Sequence, residues 1–146
     1  MTTPMCPPIP ARLSCAMPAT TIVMASPTME VWGTGAVRRE FLFVDDAADA
    51  MVFLMQNYSD EWIVNLGPGS DVPIRDLVGL VCQVVGYKGG IRFDASRPDG
   101  APRKMVDTSY ASALGWRAHT PLRAGLQATY RWYVDNVASE KRRAVA

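Results

Sequence analysis

Two stretches of this chain carry polar and aromatic groups close enough together to bind an anion. Trp32-Gly33-Thr34-Gly35-Ala36-Val37-Arg38-Arg39 places an aromatic plane, two glycines and two guanidiniums within eight positions. Glycine lets backbone approach a ligand closely, and the planar fork of arginine matches phosphate oxygens. The second stretch, Ser96-Arg97-Pro98-Asp99-Gly100-Ala101-Pro102-Arg103-Lys104, sets three cations around one carboxylate on a loop stiffened by proline. The same residues also read as a pair of surface loops with solvated charges, with Arg39 opening a strand that has one exposed face. No complete catalytic constellation accompanies them. A GxGxxG turn, a Tyr-x-x-x-Lys pair and a Gly-x-Ser-x-Gly elbow are all missing from the sequence. His119 is the lone histidine, on a loop without a positioned partner, and Cys82 falls inside an apolar helical stripe as a small core residue.

The elements that must position these loops alternate between strand and helix. Glu30-Val31-Trp32 reads as a short strand ending in a turn at 33–35. Residues 39–44 read as a second strand. Asp45 or Asp46 supplies an N-cap acceptor for a helix over 47–57, with Ala47, Met51, Leu54 and Met55 at helical spacing. Trp62-Ile63-Val64-Asn65-Leu66 reads as a strand buried on both faces, ended by Gly67-Pro68-Gly69. The clearest helix starts at Pro73, carries the stripe Ile74, Leu77, Val78, Val81, Val84, Val85, and stops at Gly86. Residues 91–94 form another strand before a turn at 97–100. Thr120 and Pro121 open a last helix bearing Leu122, Leu126, Tyr130, Tyr133 and Val137. The order is that of an α/β fold, with strands too few and too short for a complete doubly wound sheet.

Composition narrows the classes. The 146 residues suit one domain, 49% hydrophobic and 20% charged, with 15 Lys+Arg against 14 Asp+Glu for a net charge of +1. A general nucleic-acid or membrane-surface binder needs a basic field that this balance does not supply. No apolar run is long enough to span a bilayer. Three cysteines at irregular spacing fit neither a disulfide scaffold nor a closed zinc site, and a cytoplasmic location is expected. Residues 1–26 differ from the rest: they are rich in proline and methionine, with Arg12 their only charged side chain. A poorly ordered leader is expected there, and a solvated basic tail over 139–146.

Read in order, VWGTGAVRREFLFVDDAADAMVFLMQNY, NLGPGSDVPIRDLVGLV, FDASRPDGAPRKMVDTS, ALGW and PLRAGLQATYRWYVDN resemble the C-terminal part of the GDP-L-fucose synthases. These are extended short-chain dehydrogenase/reductases of the NAD-dependent epimerase/dehydratase group. The resemblance runs from about Pro27 to Asn136 and covers under half of a family member. It implies an incomplete α/β fragment, 27–138, made mainly of the substrate-binding portion. The family epimerises its GDP-4-keto-6-deoxy-mannose substrate beside the C4 ketone and then reduces that ketone with NADPH. Its catalytic Ser/Tyr/Lys and Cys/His groups and its cofactor turn lie in an N-terminal portion without counterpart here. The resemblance therefore implies no catalytic residue and no NADP(H) binding by this chain alone; Cys6 and Cys15 sit in no matching context. It implies substrate contacts at Trp32, Arg39 and Asp99, a GDP-sugar as ligand, and a separate N-terminal half as a candidate partner. Two departures stand out: Phe43 replaces a family histidine, and residues 1–25 do not resemble the segment expected before the WGTG motif. A truncated or frame-shifted product rejoining the family near Pro27 is the expectation these departures raise, with a non-functional remnant or another nucleotide-sugar epimerase as alternatives.

Overall fold

The computed structural model describes residues 28–138, and the expectations for the leader 1–26 and the tail 139–146 lie outside these residues. Two small sheets and four helices make up the described part. Strand β1 (Thr28–Trp32) pairs in parallel with β4 (Gly90–Asp94), in the register Thr28 to Gly90 and Trp32 to Asp94. In the second sheet β2 (Arg38–Arg39) lies between β3 (Val72–Pro73), antiparallel to it, and β5 (Arg103–Lys104), parallel to it. Helices α1 (Val44–Asn57), α2 (Ile74–Val85), α3 (Ser109–Leu114) and α4 (Leu122–Trp132) follow in chain order, and α4 continues as a π-helical turn over Tyr133–Ala138.

Helix α2 keeps the limits its stripe predicts. Gly86 closes it at φ 74°, a left-handed conformation that glycine adopts without a Cβ clash. Cys82 is buried on it, and burial pushes its thiol pKa up. The core itself is small: Ala50 of α1, Ala111 of α3 and Trp116, with Leu42, Phe53, Val64, Leu66 and Ala118 packed around them.

Three expectations need correction. The strand expected over 39–44 ends at Arg39: beyond the Arg39–Lys104 pair on the β5 side, the Val106 N–H turns to the Glu40 side chain (Oε1, 2.7 Å) rather than to a backbone carbonyl. The strand expected over 62–66 is irregular chain, with Trp62 77% and Ile63 87% exposed. Among the described residues no strand lies alongside to take its backbone groups. Helix α1 begins at Val44 and not at 47. Its N-cap is Phe43, with no side-chain cap bond, so neither Asp45 nor Asp46 caps it. Asp46 instead turns inward, and α1 buries Asp46 and Ala50 while Met51 and Met55 face outward. Phe43 packs against buried Gly125 of α4, where an added Cβ would lie 3.1 Å from the ring.

Candidate functional site

The two polar stretches form one site. The Gly33 N–H donates to the Asp94 carbonyl (2.9 Å), which extends the β1–β4 pairing into the turn. Gly33 then takes φ 88° and Gly35 φ 71°, so the chain doubles back where side chains would obstruct it. A Cβ on Gly35 would stand 2.5 Å from the Phe93 ring. Between them, Thr34 donates to Asp99 twice: its N–H to Oδ1 and its hydroxyl to Oδ2, both at 2.6 Å. The hydroxyl also accepts from the Ala36 N–H at 3.1 Å. Further along, the Arg38 N–H donates to the Pro102 carbonyl and Arg39 Nη1 to the Ala101 carbonyl, both at 2.9 Å. The Thr34 hydroxyl and amide, aided by the charge of Arg75, hold the Asp99 carboxyl below the usual aspartate value despite some desolvation.

The arginines divide by partner. Asp71, its side chain only 5% exposed, takes Arg38 on Oδ1 (Nη2 2.8 Å, Nε 2.9 Å) and Arg103 Nε on Oδ2. These two guanidiniums are neutralised where they stand. Arg39 bonds only to carbonyls, of Arg38 at 2.7 Å and Ala101, and pairs with no carboxylate among the described residues. It also lines a cavity of about 250 Å³ with Ser70, His119 and Thr120. Trp32 is 69% exposed, and the Arg97 guanidinium lies over its ring at 4.9 Å.

Of the residues the sequence singles out, Trp32, Arg39 and Asp99 therefore stand around the same pair of joined loops. His119 stays an exposed loop residue, and its backbone N–H donates to Asp46. Sequence reasoning missed the partners: Thr34 for Asp99, Asp71 for two of the arginines, and Arg97 for Trp32. Each partner is distant in sequence, and only the paired charge types hint at them. No group of three or more metal-ligating side chains occurs among the described residues.

Stability of this site is expected to depend on acid pH with a definite sign. The Asp71, Asp94, Asp99 and Asp107 carboxyls are all held below the usual 3.8. For Asp71 the chief causes are the hydrogen bonds from Arg38 and Arg103. A carboxylate depressed in the folded state adds stability that is complete above its unfolded pKa and is lost as pH falls through the folded one. The melting temperature should hold from neutral pH to about pH 5 and fall steeply below about pH 4. Asp71→Asn should lower the plateau and flatten that fall; an unchanged acid limb in a melting series would contradict the assignment.

Comparison with known proteins shows what the chain resembles. Residues 12–67 match the model of the NAD dependent epimerase/dehydratase family. GDP-L-fucose synthase 1 of Arabidopsis thaliana is 51% identical over 109 residues, covering 75% of this chain and 34% of that protein. Over that stretch the chain is similar to a C-terminal portion of the GDP-L-fucose synthases. GDP-L-fucose synthase of Escherichia coli K12 is 42% identical over 120 residues, 76% of this chain and 37% of that protein. Among solved structures, a GDP-mannoheptose C4 reductase from Campylobacter jejuni with NADP bound is 38% identical, with a TM-score of 0.63 over 73% of this chain and 34% of that one. The fold is thus that of the epimerase/dehydratase enzymes, and the chain spans about a third of the length of the GDP-L-fucose synthases it matches.

Members of this family bind NADP(H), and the described residues do not fit that group. A dinucleotide cradle needs free amides at the start of a helix that directly follows a strand. The strand–helix junction at α2 has Pro73 at its cap, and the next two amides are spent: Ile74 donates to the Val37 carbonyl and Arg75 to that of Gly35. The GTG turn after β1 leads into β2 and not a helix, and the Thr34 amide is held by Asp99. No helix among the described residues is long and apolar enough to cross a membrane.

Proposed function

We propose that this chain is the GDP-sugar-binding portion of a GDP-L-fucose synthase-type enzyme, in the cytoplasm, and does not carry out epimerisation or reduction by itself. Arg39 pairs with the diphosphate, Trp32 forms a wall of the nucleotide-sugar site, and Asp99 sets the loop that faces it. One observation carries the reading: the 32–39 and 97–104 stretches are joined at Thr34–Asp99, Arg38–Pro102 and Arg39–Ala101, and that junction holds a guanidinium with no acidic partner among the described residues. A half-site open to solvent binds weakly, because enclosure supplies much of a ligand's affinity. A Rossmann-type half supplied as a separate chain would complete the enclosure and bring NADP(H).

Calorimetric titration of the purified chain with GDP, with UDP and Arg39→Ala as controls, tests this. Saturable GDP binding is expected, weakened at least about tenfold in Arg39→Ala, as for a lost charge-assisted hydrogen bond. A UDP preference would move the chain to another nucleotide-sugar epimerase or dehydratase. The rival reading is a remnant that binds nothing. It draws on the apolar side chains left in water, among them Val44, Met51, Met55, Trp62, Ile63 and Trp132. A well-folded sample without any GDP response would favour it.

A further inference from the structure

Strand β2 is two consecutive arginines, and the sheet sends them to opposite faces, as it does successive residues of any strand. In register, Arg38 lies opposite Pro73 of β3 and Arg103 of β5, and Arg39 lies opposite Val72 and Lys104. Each face therefore carries a cross-strand pair of cations, an arrangement that by itself pushes strands apart. The ladders are only two residues long, so backbone bonding sets little against that repulsion. What answers it differs between the faces. Arg39 and Lys104 pair with no carboxylate among the described residues, and Arg39 lines the cavity of about 250 Å³ together with Phe41 and Val72. Arg38 and Arg103 have Asp71.

Asp71 directly precedes β3, and its carboxylate stands between the two arginines. Oδ1 lies 2.8 Å from Arg38 Nη2 and accepts from Arg38 Nε at 2.9 Å, and Oδ2 accepts from Arg103 Nε. The Asp71 carbonyl also accepts from Arg38 Nη2 at 2.9 Å. One residue thus joins all three strands of the sheet. Its side chain is only 5% exposed, and without the carboxylate the two guanidiniums would be left as like charges across β2 and β5. The β2–β5 pairing also brings Arg39 Nη1 to the Ala101 carbonyl, the bond that aims this guanidinium. We propose that Asp71 is a positioning residue of the nucleotide-sugar site. By bridging Arg38 and Arg103 it keeps β2 on β5 and commits that face to an internal anion. Arg39 is left on the other face, as the guanidinium presented to the diphosphate of the ligand. The inference rests on the GDP-sugar reading and deepens it: Asp71 touches no ligand and acts through Arg39.

The test is calorimetry of the full chain with GDP, for the unaltered protein, Asp71→Asn, Arg38→Leu, the Asp71→Asn/Arg38→Leu double variant and Arg39→Ala. Thermal melts of each variant check the fold. Asp71→Asn should weaken GDP binding about tenfold, near the loss in Arg39→Ala. Arg38→Leu removes one cation of the bridged pair and should stay within about threefold of the unaltered chain. The double variant should return to within about threefold as well, because the unbridged like charges are then gone. A role in stability alone would leave the double variant no better in affinity than Asp71→Asn. Mapping the arginines modified by phenylglyoxal, with and without GDP, needs no variant and decides where Asp71→Asn does not fold. GDP should protect Arg39 and leave Arg38 as reactive as before. Unchanged or tighter GDP binding in Asp71→Asn beside a loss in Arg39→Ala overturns the inference and leaves the GDP-sugar reading standing. A double variant without recovery, or protection of Arg38 by GDP, does the same. No GDP binding by the unaltered chain overturns both.

Discussion

Replacing Asp46 with alanine is expected to cost the fold about 2–3 kcal/mol, a large share of what so small a core provides. Asp46 is 7% exposed and lies in the first turn of α1, where the helix dipole favours a negative charge. Its Oδ2 accepts the His119 and Thr120 N–H groups (3.1 and 2.8 Å), and its Oδ1 accepts the Thr120 hydroxyl at 2.8 Å. One carboxylate therefore ties the start of α1 to the turn that leads into α4. Alanine would leave two backbone donors and a hydroxyl in a part-buried place with no acceptor, which costs more than the bonds themselves. Burial alone would raise the Asp46 pKa; the Thr120 and His119 hydrogen bonds and the His119 charge outweigh it and hold the group below 3.8. This contribution is complete above the unfolded pKa and disappears as pH falls through the folded one. Asp46→Asn, which keeps an acceptor oxygen but loses the charge, should cost about half as much. Urea unfolding at neutral pH with an unchanged m-value gives the number directly. A change below about 0.5 kcal/mol, the range of ordinary surface substitutions, would mean that water replaces the carboxylate without penalty.

Asp46 also marks where local sequence reasoning stops. Its position before an apolar helical pattern makes it a good N-cap, yet its partners lie more than seventy residues away, and no window around it contains them. Helix α2 was legible because its information is local: an apolar stripe, a proline before it and a glycine after it act within a few residues. Strand β4 was legible from its composition, and it is a strand because β1 lies beside it. The segment at 62–66 has the composition of a buried strand, but a strand exists only beside a partner, and none lies beside it among the described residues. The site divides in the same way. Residue types alone marked two loops and favoured solvated surface charge over a binding site. The resemblance to GDP-L-fucose synthases picked out Trp32, Arg39 and Asp99. That these stand together depends on contacts such as Thr34–Asp99, 65 residues apart, which only the folded chain displays.

Gly33→Ala should do at that junction what Asp46→Ala does in the core, with an expected cost of about 2–4 kcal/mol and a loss of GDP affinity beyond tenfold. Two separate physical terms add here. At φ 88° any Cβ meets its own backbone, a penalty of about 1–2 kcal/mol for an L-residue in the left-handed region. In addition, a Cβ at this position would stand 2.3 Å from Asp99 Oδ1, an impossible contact, so the carboxylate must move. That carboxylate is held by two bonds from Thr34, and displacing it releases the loop from 97 to 101 that supports Arg39. Gly86→Ala separates the two terms. Gly86 has φ 74° but nothing within 4 Å of its would-be Cβ, so it pays the backbone penalty alone. Melts of both variants should show Gly33→Ala as the more destabilised, and GDP titrations should show Gly86→Ala binding as the unaltered chain does. Equal destabilisation with GDP affinity retained in both would mean that the Thr34–Asp99 contact shapes the turn without shaping the site. A selective loss of affinity in Gly33→Ala would establish that closing these two loops on one another is what makes a diphosphate site from residues that, apart, are ordinary surface charge.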